Sequence, residues 1–152
     1  MQYTAQIHWE RHNKPFDVKS YDRTHTVTFA GGITIETSSA PEFLGNAALV
    51  NPEELFTASI SSCFMLTFLY WAAMKGFTVD QYQAEAVGTL GKNSEGKMCM
   101  TEVVLKPTIT FGDKSPDATT LDDLFKKAHD NCFISNSVKT KVTVLSEQLA
   151  RA

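Results

Sequence analysis

The first part of the chain alternates between apolar and polar residues, which is the pattern of half-buried β-strands. Residues 5 to 9 alternate loosely and predict a first strand, and residues 24 to 29 alternate again. Gly31-Gly32 separates this second run from a third run at residues 33 to 35. Two alternating runs around a Gly-Gly pair predict a β-hairpin, because glycine adopts the positive φ angles that tight hairpin turns need.

A long apolar helix is predicted after the loop at residues 38 to 50. Asn51 can cap this helix, Pro52 suits its first position, and Glu54 lies where a capping box places a carboxylate. From residue 55 to residue 74 the side chains are apolar or small on almost every face, which is typical of a helix buried on all sides. Serine and threonine interrupt the run and no basic flank marks a cytoplasmic end. We therefore expect a core helix that a second subunit helps to bury, rather than a membrane span.

Two further strands follow this helix. Residues 81 to 90 alternate, a polar turn covers residues 92 to 96, and a long strand extends from Met98 to Phe111. Pro107 lies inside the long strand. Because proline has no amide hydrogen to donate within a sheet, we expect an edge strand or a bulge at this position.

A second helix and a final strand complete the predicted order. We expect residues 120 to 123 to form a capping box, and residues 141 to 145 predict the last strand. The order β-β-β-α-β-β-α-β, with strands in hairpins and two separated helices, predicts an α+β fold rather than a doubly wound parallel sheet. The second helix is amphipathic, and its apolar positions recur at i, i+3, i+4 and i+7: Leu121, Leu124, Phe125 and Ala128.

Composition narrows the class of protein further. The chain has 152 residues, of which 43% are hydrophobic, and this predicts one domain over residues 1 to 152 with a core of its own. A net charge of −3 argues against a nucleic-acid partner. Three cysteines are too few for a disulfide scaffold, and their odd number would leave one unpaired. The first residues lack the features of a signal peptide. We therefore expect a cytoplasmic protein, not bound to a membrane, with reduced cysteines.

Cys63 is the first candidate for chemistry. It lies in the middle of the long helix, where it is either a small core residue or a nucleophile. A nucleophilic thiolate in an apolar helix needs a nearby cation. Arg23 opens the second strand and is better placed for this role than Arg11 in a loop or Arg151 in the polar C-terminal tail.

Cys132 is the second candidate. It continues the apolar face of the second helix in line with Phe125 and Ala128, so we expect it to face the first helix. Two inward thiols on packed helices form a candidate peroxidatic and resolving pair. Cys99 lies on a strand with no basic neighbour apart from Lys97, and we interpret it as structural.

No metal or nucleotide motif competes with the thiols. The sequence has neither Cys-x-x-Cys nor a His-x3-His pair on a predicted helix, and Gly31-Gly32 is a turn rather than a phosphate loop. We therefore expect no metal and no cofactor. His25, two residues after Arg23 on the same strand face, is either a border residue of a site or a surface residue.

Three motifs resemble those of the OsmC/Ohr family, the osmotically inducible and organic hydroperoxide resistance proteins. Residues 51 to 55, Asn-Pro-Glu-Glu-Leu, followed by Cys63-Phe64 resemble the central helix of that family. Residues 128 to 138, around Cys132, resemble its second-cysteine motif. Residues 21 to 25, Tyr-Asp-Arg-Thr-His, with the glycine pair that follows, resemble the arginine-bearing hairpin of an OsmC-like branch. The likeness covers nearly the whole chain.

The resemblance implies a fold and an activity. The fold is an intertwined homodimer, in which two long central helices are wrapped by strands of both subunits. The activity is a thiol-dependent peroxidase that reduces organic hydroperoxides and is itself reduced by an external dithiol such as dihydrolipoamide. Carried over to this sequence, Cys63 is peroxidatic, Cys132 is resolving, Arg23 stabilises the thiolate and Glu53 pairs with Arg23.

Two details of this site follow from the residues. Glu53 and Cys63 are ten positions apart on one helix, roughly 15 Å along its axis, so Glu53 belongs to the site only if it comes from the partner subunit. Phe64, Met65 and Phe68 lie close to Cys63 in sequence. We expect them to favour a bulky apolar hydroperoxide over hydrogen peroxide.

A non-enzymatic alternative stays open. The chain is then a homodimer that binds an apolar small molecule at the interface between its helices. This alternative gains if Arg23 does not lie beside Cys63.

Overall fold

The computed structural model describes residues 1 to 147, which fall into two compact units. The first unit covers Met1–Leu55, and the second begins at Phe56. The single domain over residues 1 to 152 stays a prediction, and Arg151 lies outside the described residues.

The first unit contains a three-stranded antiparallel sheet in the order β1-β2-β3. The predicted hairpin between its second and third strands is confirmed, and the amide of Gly32 donates to the carbonyl of Phe29 at 2.9 Å. Gly32 has a φ of +86°, so one glycine of the pair supplies the left-handed backbone of the turn. The strands are β1 (Ala5–His8), β2 (His25–Phe29) and β3 (Thr34–Thr37).

Helix α1 (Pro52–Met74) begins with the predicted capping box. The amide of Glu54 donates to Asn51 Oδ1 at 2.9 Å, and the amide of Asn51 donates to Glu54 Oε2 at 3.0 Å. These bonds satisfy amides at the start of the helix that have no partner within it. The helix ends before Gly76, whose φ of +76° turns the chain into the next strand.

The second unit contains a three-stranded sheet in the order β4-β5-β6, in which β4 runs antiparallel and β6 parallel to β5. Pro107 lies in the central strand, not in an edge strand, and it faces Ala84 without a shift of register. The sheet accommodates it because β6 pairs with residues 102 to 105, so Pro107 lies two positions beyond that pairing. The strands are β4 (Val79–Lys92), β5 (Met98–Phe111) and β6 (Lys141–Val144).

Two helices follow β5: α2 (Ala118–Asn131) and the short α3 (Phe133–Asn136). The predicted capping box at residues 120 to 123 is wrong, because α2 begins two residues earlier. Its N-cap is Asp117, whose carboxylate accepts a hydrogen bond from the amide of Thr120 at 2.7 Å. This bond to the charged form lowers the pKa of Asp117.

The core of the second unit is built from α1, α2 and β5. Phe64 and Phe68 of α1 both contact Phe125 of α2, with ring centroids 6.3 and 5.1 Å apart. Fully buried residues of α1 recur every fourth position, so they form one stripe along the helix. The core residues are Ile60, Phe64, Phe68 and Ala72 from α1, Leu121, Leu124, Phe125 and Ala128 from α2, Val103, Leu105 and Ile109 from β5, and Cys132.

The opposite side of α1 is not buried within one chain, and this is the side that the predicted second subunit would have to cover. Leu66, Tyr70 and Met74 recur every fourth position and are 60%, 57% and 64% exposed. Within the described part of the chain, α1 is long and apolar enough to span a membrane, a test that core helices of soluble proteins also pass. Contiguous exposed apolar side chains can mark an interaction surface, and burial by a second subunit stays the prediction for this stripe.

Gly88 marks a close approach between β4 and α1. A Cβ atom added there would overlap Thr57 Oγ1 and would lie 2.6 Å from Met100 Cε. We expect Gly88→Ala to lower the free energy of unfolding by about 1–3 kcal/mol, the usual cost of overpacking. Urea unfolding measures the change. Gly91→Ala is the matched control, since its Cβ would lie 3.4 Å from Thr101 Cγ2, an ordinary contact. Equal stability of the two variants would contradict the close approach.

Tyr82 has a buried hydroxyl with no hydrogen-bond partner among the described residues. Its ring packs against Phe68 at 5.9 Å, and burial raises the pKa of Tyr82 to about 12. Since an unfolded tyrosine ionises near pH ~10, the unfolded state loses its proton first. The contribution of Tyr82 to stability is therefore complete below that pH and is lost as the pH rises towards 12.

We expect Tyr82→Phe to remove this alkaline loss. At neutral pH the variant should be as stable as the wild type or more stable, because it lacks a buried unpaired hydroxyl. Melting temperatures measured from neutral to alkaline pH test both statements. Tyr3→Phe, at a position that is 91% exposed, should keep the wild-type decline. An unchanged decline in Tyr82→Phe would refute the assignment.

Candidate active site

The structure brings Cys63 and Cys132 together in the second unit. Cys63 packs against the core cluster from α1, and Cys132, with 0% exposure, is a member of that cluster. The two thiols are close enough to interact through a hydrogen bond, and both are free. The expectation that Cys132 faces the first helix is confirmed.

Packing between the two helices explains this proximity. Phe125 stacks on Phe64, the residue after Cys63, with an interplanar angle of 16°. Cys132 follows Phe125 by seven positions and Ala128 by four, so all three lie along one face of α2 and its end. The aromatic contact therefore holds α2 in the orientation that carries Cys132 towards Cys63.

The backbone at Cys132 leaves the helical conformation, with φ −73° and ψ 109°, and joins α2 to α3. Cys132 Sγ acts as the N-cap of α3. It accepts hydrogen bonds from Ser135 Oγ at 3.1 Å and from the Ser135 amide at 3.5 Å.

These surroundings act on the ionisation of Cys132 in opposite directions. Burial raises the pKa of the Cys132 thiol, and the neighbouring Cys63 raises it further. The two bonds from Ser135 lower it, because they favour the charged form. The net direction is upward, so Cys132 is predominantly a protonated thiol at neutral pH.

Phe64 and Phe68 were expected, with Met65, to favour a bulky apolar hydroperoxide, but the two phenylalanines are not accessible to contact one. Phe64 and Phe68 have 0% exposure and contact Phe125 inside the core. Their spacing from Cys63 places them on the buried stripe of α1, where they position α2 and leave no surface for a ligand.

Arg23 lies in the first unit and is held in a defined orientation. Its guanidinium stacks over the ring of Tyr21, 3.9 Å from the centroid. It also donates to the carbonyl oxygens of Tyr21 at 2.7 Å and Val18 at 2.8 Å. A guanidinium has five N–H donors, so donors beyond these two bonds are left for a further group.

Arg23 lines a cavity of about 610 Å³ in the first unit. Three aromatic rings in mutual contact form one side of it: Trp9, Phe16 and Tyr21, with centroid distances of 5.7 to 6.5 Å. His25 lines the same cavity, and its Nδ1 lies 2.8 Å from the carbonyl oxygen of Arg23. The cavity therefore combines an apolar wall with a permanent cation.

The acid next to Arg23 in sequence is bound elsewhere. Asp22 accepts a hydrogen bond from Lys14 Nζ at 2.5 Å, and this ion pair holds the pKa of Asp22 well below its usual range. Glu53 lies in the first turn of α1, directly after Pro52, which also lines the cavity. The structure thus places Arg23 and Glu53 in the first unit and the two cysteines in the second, and their roles towards a Cys63 thiolate stay predictions.

A model of the OsmC-like protein family matches residues 45 to 147. The chain belongs to this family. The family match and the likeness to solved structures confirm the predicted OsmC/Ohr fold of the α+β class.

Among curated relatives of this OsmC-like protein, peroxiredoxin OsmC of Escherichia coli is 30% identical over 94 residues. That match spans 62% of this chain and 64% of the relative, less than two thirds of the relative's length. A solved structure of an OsmC-like protein of unknown function from Vibrio cholerae is 41% identical, with a TM-score of 0.92 over 96% of this chain and 99% of the other. An organic hydroperoxide resistance protein from Legionella pneumophila is 21% identical, with a TM-score of 0.70 over 96% of this chain and 95% of the other. At that identity the likeness shows the fold alone.

Cys99 of this OsmC-like protein is partly buried on β5 and lines a different cavity of about 640 Å³, together with Phe56 and Lys139. Its interpretation as a structural residue stays a prediction. Among residues 1 to 147, no three histidine, cysteine, aspartate or glutamate side chains lie close enough together to hold a metal ion.

Sequence reasoning did not find two parts of this site. Ser135 lies three positions after Cys132, the spacing of a side chain in the first turn after an N-cap, and this spacing is the signal that identifies it. The ring cluster left no comparable signal, because Trp9, Phe16 and Tyr21 are scattered along a polar segment and meet only through tertiary contacts.

Proposed function

We propose that this OsmC-like protein is a thiol-dependent peroxidase that reduces organic hydroperoxides to alcohols. The observation that carries the proposal is the contact between two free thiols, one partly buried on α1 and one fully buried after α2. A disulfide requires two thiols that lie close together. The name of its relative in Escherichia coli, peroxiredoxin OsmC, supports the same chemistry.

The first step takes place at Cys63. Its thiolate attacks the distal oxygen of the hydroperoxide, an S–O bond forms and the O–O bond breaks. The leaving alkoxide takes up a proton and departs as an alcohol. Cys63 is thereby oxidised by two electrons to a sulfenic acid, which further peroxide would oxidise irreversibly.

The second step takes place between the two cysteines. Cys132 attacks the sulfur of the Cys63 sulfenic acid, an S–S bond forms, and the oxygen leaves as water. An external dithiol, such as dihydrolipoamide, then reduces the bridge by two thiol–disulfide exchanges and becomes a disulfide itself. No metal and no cofactor takes part in the proposed cycle, which runs in the cytoplasm.

The proposed site is completed in a homodimer. Arg23 stabilises the Cys63 thiolate by its positive charge, and Glu53 from the second subunit pairs with Arg23. The exposed apolar stripe of α1 (Leu66, Tyr70 and Met74) supports a second subunit on this helix. The aromatic cavity beside Arg23 supports a bulky apolar hydroperoxide as substrate.

A disulfide between Cys63 and Cys132 is the first test. We expect one equivalent of cumene hydroperoxide to produce this bridge, seen by mass spectrometry of unreduced peptides as a linked pair lacking two hydrogens. Cys63→Ser should abolish hydroperoxide consumption, and Cys132→Ser should leave a trappable sulfenic acid on Cys63. Cys99→Ser is the matched control and should retain bridge and rate. A wild-type protein with no bridge, together with an unchanged rate in Cys63→Ser, would refute the peroxidase.

Arg23 provides a second test. We expect Arg23→Met to slow oxidation of Cys63 by about tenfold to a thousandfold near neutral pH, because an adjacent cation favours a charged group to that degree. Arg23→Lys should recover part of the rate, since it keeps the charge but not the planar geometry. Stopped-flow measurement of hydroperoxide consumption gives the rates. Arg11→Met, at an exposed loop arginine that donates to the carbonyl of Lys14, is the control.

A non-enzymatic homodimer that binds an apolar small molecule is the second candidate. The aromatic cavity and the exposed stripe of α1 favour it, because both are apolar surfaces that can take a ligand. It predicts an ordinary reactivity of Cys63 in wild type and in Arg23→Met alike, together with saturable binding of an apolar fluorescent probe. Equal rates in the two proteins would support this candidate over the peroxidase.

A further inference from the structure

We infer that Ser135 is the positioning residue of the resolving cysteine: its hydroxyl and amide hold Cys132 Sγ against Cys63 and stabilise the thiolate form that forms the bridge. This inference rests on the proposed function. Ser135 acts through Cys132 and does not touch the hydroperoxide.

The hydrogen bonds around Cys132 show how Ser135 is placed. Ser135 Oγ donates to Cys132 Sγ at 3.1 Å, and the Ser135 amide donates to the same atom at 3.5 Å. The amide of Asn136 donates to the carbonyl of Cys132 at 3.0 Å, and Asn136 Nδ2 donates to the carbonyl of Asp130 at 3.0 Å. These hydrogen bonds hold the backbone of the turn at Cys132 in place, which restricts the directions in which Sγ can point.

A buried thiolate needs donors of this kind. Cys132 has 0% exposure, so water does not solvate its negative charge. Burial is the first cause that raises the pKa of Cys132, whereas the bonds from Ser135 lower it. A hydroxyl and an amide aimed at the sulfur supply hydrogen bonds that water would give at an exposed site.

The charged side chains that lie closest to Cys132 along the described part of α2 have other partners. From α1, Cys63 interacts with Cys132 and disfavours its charge. On α2, His129 Nε2 lies 3.1 Å from the carbonyl oxygen of Val142, and Asp130 pairs with Lys126 at 2.5 Å. β5 contributes apolar residues to the cluster around Cys132, and α3 carries no charged residue.

Ser135 assists the attack of Cys132 on the oxidised Cys63. The Cys132 thiol loses its proton, and the thiolate attacks the sulfur of the Cys63 sulfenic acid. The S–S bond forms, the S–O bond breaks, and the departing hydroxide takes up one proton to leave as water. Ser135 keeps its own proton throughout, and its bond to Sγ weakens as the negative charge is lost.

A Ser135→Ala variant separates the two steps. We expect consumption of the first equivalent of cumene hydroperoxide to proceed at the wild-type rate. Formation of the Cys63–Cys132 bridge should be about tenfold slower, the loss of one hydrogen bond to a charged group. Sulfenic acid on Cys63, trapped with dimedone, should accumulate, and the pH profile of bridge formation should move to higher pH.

Two further variants separate positioning from a general effect on α3. Ser135→Thr keeps a hydroxyl and should recover most of the bridge-forming rate. Ser137→Ala is the matched control, because Ser137 Oγ donates to the carbonyl of Phe133 at 2.7 Å in the same short helix without contacting the thiol. Circular dichroism and thermal melting establish that each variant is folded.

A readout without peroxide keeps this inference distinct from the proposed function. In a Cys63→Ser, Cys99→Ser background, Cys132 is the remaining thiol, and ultraviolet absorbance of the thiolate reports its titration. Adding Ser135→Ala should move that titration to higher pH. An unmoved titration overturns the inference whether or not the protein is a peroxidase. A wild-type rate of bridge formation in Ser135→Ala also overturns it, whereas absence of Cys63 oxidation in the wild-type protein refutes the proposed function alone.

Discussion

The contact of Phe64 and Phe68 on α1 with Phe125 on α2 is the interaction on which the candidate site depends. These rings are buried, and together they hold the two helices of the second unit in a fixed relation. Cys63 precedes Phe64, and Cys132 continues the face of Phe125. The core therefore determines the distance between the thiols, and the site needs no loop to bring them together. Close packing makes this placement precise, because core side chains interdigitate with few voids.

Burial fixes the position of the Cys132 thiol but disfavours its charged form. A thiol inside an apolar cluster is protected from solvent, but its charged form loses the stabilisation that water supplies. In Cys132 the cost is reduced by local hydrogen bonds from the turn that follows it. In the first unit the charged group is instead a permanent cation. The guanidinium of Arg23 is oriented by two backbone carbonyls and by the ring of Tyr21, and it lies beside the aromatic cavity. One unit thus carries a buried thiol and a partly buried one, and the other carries a preorganised cation.

Much of the fold could be predicted from local patterns. The hairpin at Gly32 and the capping box of Asn51 and Glu54 are confirmed, since both depend on a few neighbouring residues. The predicted start of α2 at Thr120 is wrong because two residues of this segment can cap a helix. Asp117 is the one that does so, and its carboxylate accepts a hydrogen bond from the Thr120 amide. The position of the uncovered stripe on α1 could not be predicted, because an all-apolar helix indicates burial but not which of its faces a second subunit would cover.

The direction of a site side chain could be predicted where its position on one helix face determines it. It could not be predicted where tertiary contacts determine it. Cys132 could be oriented from its spacing to Phe125, and the structure confirms it. Phe64 and Phe68 were expected to favour an apolar substrate only because they lie near Cys63 in sequence, whereas both are buried in the stripe of α1 that packs against α2. Consecutive residues of a helix point about 100° apart around its axis. Phe64 therefore does not share the direction of Cys63, and the residues that would contact a substrate at Cys63 must come from other elements.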